Sequence, residues 1–480
     1  MEQTIIVSAF FAGLAGQEKI LYFERLNAYL QQYQVQLFLV NLNGTKLRTK
    51  CNSIGIHVDC TKMGKSTQGL EKYRKLSHEL TLAMAMEASL KNDDFFSQSS
   101  AILDYTEFMI RLLLEKKPCL CILWHQHSGQ HRALAAICQD LDVPYVFAHL
   151  GMLPGTIVFE HGGQNAESWV TQNNEDFLKL QIDDRDLVVA QQYLEYVRKI
   201  KKDRKPQTTK LTIRDIVDKN RKTIFYAGQN DYQSGLWPSW LPKSRIHSPL
   251  FFHTFDGLQY IARISKVNDW QILFKPHPNI QNRQTSSTRL NHEHIDFVKG
   301  ANIFECMEKS DLTVTILSQV SYQALIHGNP VVLLGCNQLS GKGCAYEVTS
   351  HDNIENTIKL ALKEGFSKDQ KRNWVRHVAQ ACKYYLFSFE KEILNIIGRD
   401  VDEAANYLIM KSNFPKVLYG INNNTNGYGT AISKAMQNER STHTNKKQNL
   451  HNNSSRTYSV LSFSSVYLKS IFRRIRNLFS

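Results

Sequence analysis

The stretch ILFKPHPNI, residues 272–280, decides how the second half of this chain folds. An apolar run typical of a buried strand ends at a lysine, and a histidine follows between two prolines. Polar residues directly after a buried strand lie at the carboxyl edge of a parallel sheet, where open α/β sheets bind ligands. His277 can donate a hydrogen bond to a phosphate there, with charge added by Lys275, or it can simply cap the following loop.

Strand and helix patterns alternate on both sides of this stretch. KTIFYAG (222–228) and SDLTVTI (310–316) predict buried strands, and helical patterns lie between the strands. The first 170 residues alternate in the same way, starting with the strand TIIVSAFF, the turn AGLAG and a helix. The sequence therefore predicts the α/β class, with two Rossmann-like doubly wound domains.

Changes of composition and pattern set the predicted domain boundaries. A helix that runs into the basic, proline-marked stretch VRKIKKDRKPQTTK predicts the connection between the domains. A later segment rich in Asn, Thr, Ser and Lys predicts a disordered linker. The predicted segments are a first domain at 1–187, a basic connection at 188–222, a second domain at 223–385, a helix returning towards the first domain at 386–415, a disordered linker at 416–458 and a basic amphipathic helix at 459–480.

Length, cysteine usage and the N-terminus exclude several classes of protein. A chain of 480 residues with 42% hydrophobic side chains can bury a large core, and its nine scattered cysteines include no CxxC pair. The N-terminus lacks the positive flank and cleavage site of a signal peptide, and no apolar run is long enough to span a membrane. We therefore expect a cytoplasmic protein.

The C-terminal tail carries most of the excess positive charge. Residues 421–480 hold nine Lys or Arg and one Glu, which accounts for eight of the fourteen net positive charges. In the last 20 residues, apolar and basic side chains fall on opposite faces of a helical pattern, which suits an anionic membrane surface. The alternative is a helix that docks on the protein itself. Nucleic acid is not an expected partner, because the predicted folded part has no interleaved basic and aromatic residues.

A second loop that can bind phosphate follows another predicted strand. In TILSQVSYQALIHGNPVVLLG, which begins at Thr315, a serine turn and a helix start place Ser318 and Ser321 beside free backbone N–H groups. This arrangement predicts an anion site, although Ser318 can also be a simple helix cap. Two such strand ends in one sheet predict a nucleotide-sugar donor.

Two carboxylates are candidate catalytic groups, and one of them, Asp231, lies on a loop that faces the predicted cleft. Asp231 lies in FYAGQNDYQSGL (225–236), after the first strand of the second domain, where it can also be a loop-solvating residue. Glu160 lies in HLGMLPGTIVFEHGGQNAESW (149–169) of the first domain, before a histidine and two glycines. Glycines let the backbone approach a substrate closely, so Glu160 can serve as an acid or a base.

The order of these motifs resembles the capsule polysaccharide biosynthesis family of KpsC/KpsS-like proteins, whose best-known members are bacterial Kdo transferases of GT-B architecture. The motifs are Glu160 with GGQN, then GQNDYQSG, KPHP, SxxSYxAL and GNPVV, within residues 120–340. The resemblance implies two Rossmann-like domains that face a cleft, with a CMP-activated sugar held mainly by the second. The sequence differs from the family pattern in two places. Gln323 stands where the family commonly has an acidic residue, and the first-domain loop differs from the family's aromatic and arginine-rich sequence.

The resemblance also implies roles for individual residues. His277 and Ser318 look like contacts to the CMP phosphate. The retaining members imply a double displacement, with Asp231 as the nucleophile and Glu160 as the acid or base. The other residues predicted to bind the donor are Lys275, Ser321, Gln323 and Gln229. No cofactor is expected beyond the CMP-sugar, which is a substrate.

A histidine-rich loop offers a metal site as an alternative. WHQHSGQH places His125, His127 and His131 close together, after Cys119 and Cys121. GT-B transfer needs no metal, so we expect these side chains to contact the donor or the acceptor, and we predict no metal site.

These observations and the resemblance predict a glycosyltransferase of bacterial capsule or surface polysaccharide synthesis, peripheral at the inner membrane. It would transfer a Kdo-like sugar from a CMP donor to a lipid-linked or glycan acceptor. Its other predicted partners are the inner membrane surface, through the C-terminal helix, and a capsule assembly or export complex. The alternatives are a sialyltransferase or polysialyltransferase-like enzyme, and a non-catalytic capsule assembly or export scaffold.

Overall fold

Two mainly parallel sheets with flanking helices organise the chain in a computed structural model. The structure describes residues 3–56, 75–91, 95–201, 212–241, 243–278 and 294–413. The linker and amphipathic helix predicted at 416–480 lie outside the described residues, as do residues 202–211 of the predicted connection. Within the described ranges, no helix is long and apolar enough to cross a membrane.

The elements follow one another along the chain in an alternating order. The strands are β1 (Gln3–Ala9), β2 (Val35–Asn41), β3 (Asn52–Gly55), β4 (Leu120–Trp124), β5 (Tyr145–Leu150), β6 (Thr156–Glu160), β7 (Thr223–Ala227), β8 (Gln271–Lys275), β9 (Ile295–Phe297), β10 (Leu312–Thr315), β11 (Val331–Leu333), β12 (Tyr346–Glu347) and β13 (Phe387–Ser388). The helices are α1 (Gly13–Leu30), α2 (Ser77–Lys91), α3 (Phe95–Lys116), α4 (Gly129–Asp140), α5 (Trp169–Gln172), α6 (Asn174–Leu178), α7 (Asp184–Ile200), α8 (Ser244–His247), α9 (Thr254–Asn268), α10 (Ile303–Glu308), α11 (Val320–Ile326), α12 (Ile354–Glu364), α13 (Lys368–Tyr384), α14 (Lys391–Ile397) and α15 (Val401–Lys411).

The first sheet has seven strands in the order β13-β6-β5-β4-β1-β2-β3. Its interior strand β1 is buried on both faces: Ile5 and Val7 belong to one core cluster, and Ile6 belongs to the other. Burial on both faces explains the continuous apolar run in the sequence. Strands β2 and β4 pair in parallel with opposite sides of β1, so the strand order reverses between β1 and β4.

The second sheet has six strands in the order β12-β11-β10-β7-β8-β9, all paired in parallel. Strand β7 lies between β8 and β10, so the strand order reverses between β7 and β10. A ligand crevice forms at such a reversal, because the two neighbouring loops leave the sheet in opposite directions. The predicted α/β fold with two doubly wound sheets is confirmed.

The last part of the described chain returns to the first sheet, but not as the helix predicted at 386–415. Strand β13 interrupts this segment and pairs antiparallel with β6, and helices α14 and α15 follow it. Helix α15 packs against α1 through Ala404, Ala405 and Leu408, which belong to the first-sheet core. The prediction of one helix was wrong because a two-residue strand carries too little periodicity to be recognised.

Candidate functional site

Three loops of the second sheet meet at its carboxyl edge. Thr315, Ala227 and Lys275 are the last residues of β10, β7 and β8, and the parallel register places them side by side. The loops that follow contain the predicted SQVSYQ, GQND and KPHP motifs. Motifs separated by up to about 90 residues in sequence therefore lie on one edge, next to the point where the strand order reverses.

Gln229 joins two of these loops. Its side-chain Oε1 accepts a hydrogen bond from the backbone N–H of Leu317 at 3.0 Å, and its Nε2 donates to Ser234 Oγ at 3.4 Å. The first contact bridges the carboxyl ends of β7 and β10. Gln229 is 3% exposed, so the structure places it as a brace of the site and not on its surface.

Asp231 is buried at 6% exposure and is held by the start of α9. Thr254 donates its backbone N–H to both carboxylate oxygens, at 3.1 and 3.0 Å, and its hydroxyl to Oδ1 at 2.6 Å. The N-terminal end of a 15-residue helix also stabilises a negative charge at this position. Of the two oxygens, Oδ2 is the one without the hydroxyl contact.

His253 is a site residue that sequence reasoning missed. Its Nδ1 lies 3.6 Å from Asp231 Oδ2, and its side chain is 31% exposed. The ring of Trp237 packs against the imidazole, with the ring centroids 4.5 Å apart. The only sequence signal was a histidine directly before a helical pattern, which does not reveal that the loop after β7 approaches it.

The two polar residues of the KPHP motif differ in burial. His277 is half-buried directly beyond the end of β8, where the sequence predicted it. Lys275 is 7% exposed, and its positive charge acts on Cys306 of α10. The structure therefore places Lys275 beneath the edge and leaves His277 as the more accessible of the two.

The serine loop after β10 is held together by internal hydrogen bonds. Ser318 Oγ accepts from the backbone N–H of Val320 at 3.3 Å, and Ser321 Oγ donates to the carbonyl of Ser318 at 2.8 Å. Ser321 is fully buried, whereas Ser318 and Gln323 are half-buried. Ser318 is thus the serine with an accessible hydroxyl, and Ser321 shapes the turn.

Glu160 is enclosed at the end of β6. It is 1% exposed, its two oxygens accept from the backbone N–H of Trp169 at 3.1 and 3.2 Å, and the hydroxyl of Tyr385 also donates to it. Burial and the neighbouring Glu160 carboxylate raise the pKa of Tyr385 well above its usual range. These partners differ from those of Asp231, so the structure holds the two predicted catalytic carboxylates in separate networks.

Glu167, which the sequence did not single out, connects the two sheets. Its carboxylate pairs with Lys243, lies 3.4 Å from His247 Nε2 and accepts from Gln126 Nε2 at 2.6 Å. Burial raises the pKa of Glu167, but His247 and Lys243 outweigh this effect and lower it to about 2. Asn165 Nδ2 also reaches the carbonyl of Ser234, at 3.3 Å. The edge loops of the two sheets are therefore in direct contact.

The histidine-rich loop is mainly a packing element. His131 is fully buried, with Nε2 3.0 Å from the carbonyl of Ser8 and Nδ1 2.7 Å from Ser128 Oγ. Burial lowers the pKa of His125 to about 3 and that of His127 well below its usual range. Among the described residues, no group of three or more His, Cys, Asp or Glu side chains is arranged to hold a metal ion.

Residues 194–368 match the family model described as capsule polysaccharide biosynthesis protein. This segment, which is less than half of the chain, is similar to the capsule polysaccharide biosynthesis family. The match begins and ends later than the predicted span 120–340, so it contains Asp231, His277 and Ser318 but not Glu160. No curated protein matches the sequence significantly.

Several solved structures are similar to this chain at low sequence identity. The KpsC beta Kdo 2,7 transferase of Thermosulfurimonas dismutans is 15% identical, with 85% of this chain and 99% of that chain covered and a TM-score of 0.42. A glycosyltransferase from Rickettsia africae is 10% identical, with 85% and 98% covered and a TM-score of 0.39. The UDP-GlcNAc 2-epimerase of Methanocaldococcus jannaschii is 12% identical, with 79% and 98% covered and a TM-score of 0.36.

Proposed function

We propose that this protein is a glycosyltransferase of capsule or surface polysaccharide synthesis, which transfers a Kdo-like sugar from a CMP-activated donor to a lipid-linked or glycan acceptor. The observation that carries the proposal is the meeting of the KPHP, GQND and SQVSYQ loops at the strand reversal of the second sheet. All three loops lie inside the segment that matches the capsule family. A CMP phosphate at this edge would accept hydrogen bonds from His277 and Ser318.

Asp231 is the proposed nucleophile of a double displacement. Its Oδ2 would form a bond to the anomeric carbon while the bond from that carbon to the CMP phosphate breaks, and CMP would leave with the electron pair. The acceptor hydroxyl would then attack the same carbon, lose its proton to a base and release Asp231. Thr254 supports this role because its backbone N–H and its hydroxyl fix the orientation of the carboxylate.

The role of Glu160 as acid or base stays a prediction. Its carboxylate is enclosed and accepts hydrogen bonds from Trp169 and Tyr385, an arrangement that also serves to brace the first sheet against the returning segment. Cytoplasmic location at the inner membrane, and contact with an export complex, likewise belong to this proposal.

A nucleotide-binding screen tests the proposal. Thermal unfolding of the full chain would be followed with CMP, UDP, GDP and ADP, and repeated with His277→Ala and the control His327→Ala. His327 is also half-buried but follows the last residue of α11, at the other end of that helix from Ser318. We expect CMP to stabilise the wild type and the control, and His277→Ala to lose about 1.5 to 3 kcal/mol of CMP binding.

Each other outcome of the screen has a defined meaning. Stabilisation by UDP or GDP alone would keep a nucleotide-sugar transferase and refute the CMP donor. Stabilisation by none of the four nucleotides would refute the proposal in favour of the non-catalytic scaffold. Equal stabilisation of wild type and His277→Ala by CMP would remove His277 from the phosphate site. If CMP stabilises the protein, tighter binding of CMP-sialic acid than of CMP-Kdo in a repeat of the screen would identify the sialyltransferase alternative.

A further inference from the structure

We propose that His253 is a specificity-determining residue, whose imidazole binds a carboxylate carried by the donor sugar and thereby selects acidic sugars over neutral ones. The inference rests on the proposed function, because it concerns the environment of the proposed nucleophile Asp231.

The first observation is the position of the imidazole relative to the carboxylate. His253 directly precedes α9 in an extended backbone conformation, and Nδ1 lies 3.6 Å from Asp231 Oδ2. A hydrogen bond to a carboxylate is shorter, about 2.7 to 2.9 Å, so this contact is an ion pair without a full hydrogen bond. His253 can therefore exchange Asp231 for a better placed anion without breaking a strong bond.

The second observation is the difference in accessibility between the two groups. Asp231 is 6% exposed, whereas the His253 side chain is 31% exposed. Trp237 covers one face of the imidazole at a centroid distance of 4.5 Å. A ring covered on one face is restricted in orientation, so its nitrogens can serve as a defined contact at the ring edge. A ligand that approaches Asp231 would therefore contact an imidazole that is fixed in orientation and partly exposed.

The third observation is the charge around the ring. Burial lowers the pKa of His253, but the side-chain contact with Asp231, together with the negative charges of Asp231 and Asp256, outweighs burial and raises this pKa above its usual value. Asp231 belongs to the loop after β7, and Asp256 belongs to the first turn of α9. Trp237, which packs on the ring, adds no charge. The imidazole is therefore protonated over a wider pH range than an exposed histidine.

A donor carboxylate would complete this arrangement. Attack by Asp231 requires Oδ2 to be free, and a cation paired with it weakens the nucleophile. If the sugar carboxylate pairs with the imidazolium in place of Asp231, Oδ2 loses its cationic partner and is free to attack. The two negative groups then both lie near one cation. A neutral sugar offers only hydroxyl groups, which make weaker hydrogen bonds than a carboxylate. The same contact therefore favours an acidic donor and prepares the nucleophile.

Calorimetric titration of the full chain tests this inference. The ligands are CMP, CMP-N-acetylneuraminic acid and CMP-Kdo, at pH 6 and pH 8, with wild type, His253→Gln, His253→Lys and the control His327→Gln. At pH 6, His253→Gln should weaken binding of the tighter acidic donor by about 10- to 100-fold and leave CMP unchanged. His253→Lys restores a cation and should retain the affinity. In wild type, raising the pH should weaken the acidic donor, and this dependence should be smaller in His253→Lys, which keeps its charge at both pH values.

Two outcomes would overturn the inference in different ways. If wild type binds CMP, but His253→Gln weakens CMP and the acidic donors equally or changes neither, His253 does not select the sugar, while the proposed function stands. If wild type binds none of the three ligands, the proposed function fails and this inference fails with it. Thermal unfolding of each variant identifies any loss of binding that follows from a lost fold.

Discussion

The carboxyl edges of the two sheets have the same topology but expose different chemistry. In both sheets the strand order reverses beside the first strand, so both edges have the geometry of a ligand crevice. The edge of the second sheet leaves His277, Ser318 and His253 half-buried. The edge of the first sheet buries His127 and His131, and Glu160 is enclosed at the end of the antiparallel strand β6. Topology alone therefore does not identify a site, because accessibility decides which polar groups can meet a ligand.

The pKa values of the histidines shift in opposite directions at the two edges. At the first edge, burial lowers the pKa values of His125, His127 and His131, which keeps these rings neutral. At the second edge, carboxylates raise the pKa of His253. A neutral buried ring stabilises the fold, whereas a half-exposed cation beside a carboxylate can bind an anion. The comparison thus assigns a mainly structural role to the first edge and ligand binding to the second.

The largest expected effect concerns Asp231. Asp231→Asn removes the proposed nucleophile but keeps an oxygen that accepts from Thr254, so transfer should fall by about 10³-fold or more while CMP binding and stability change little. Assays of transfer, CMP affinity and thermal unfolding check this. Asp269→Asn is the matched control, because Asp269 lies just beyond the other end of α9. Full transfer by Asp231→Asn would show that Asp231 is not the reacting group. The second edge would then have no assigned nucleophile, and its contrast with the first edge would fail.

Glu167→Gln tests the contact between the two edges. The pKa of Glu167 is about 2 in the folded protein, below its ordinary value of 4.5, so its ionisation stabilises the fold above about pH 4.5 and this contribution is lost as pH falls towards 2. Near neutral pH the substitution should cost on the order of 3 kcal/mol. Urea unfolding at pH 7 and pH 3 should show wild type and variant converging at the lower pH. A pH-independent difference would contradict the charge contact.

The smallest effect is expected for Glu160→Gln. Glutamine can accept from Trp169 and donate to Tyr385, so a bracing role predicts a stability change below about 1 kcal/mol and transfer within about tenfold of wild type. Glu160→Ala, which removes an acceptor from both partners, should cost about 1 to 3 kcal/mol. The measurements are thermal unfolding and transfer rate. If Glu160→Gln keeps its stability but loses transfer by 100-fold or more, Glu160 is the acid or base, and the first sheet shares in catalysis.

Much of the fold could be predicted because its signals are local. Strand β8 and the KPHP loop were recognisable from an apolar run that ends at a lysine and two prolines, and β1, β7 and β10 were recognisable from apolar runs of similar length. Loops that follow parallel strands must share one edge, so the sequence could also predict that His277, Ser318 and Asp231 lie on the same side of one sheet.

The remaining features depend on contacts between distant segments. His253 meets Asp231 across 22 positions in the sequence, and Glu167 meets Lys243 across 76. The sequence could predict which elements form and in what order, because backbone periodicity and turn chemistry act over a few residues. Only the tertiary structure decided that Asp231 accepts hydrogen bonds from the start of α9, that Glu160 is enclosed and that the His253 side chain is partly exposed. Burial and pairing are set by which loops pack together, and that depends on all the elements at once.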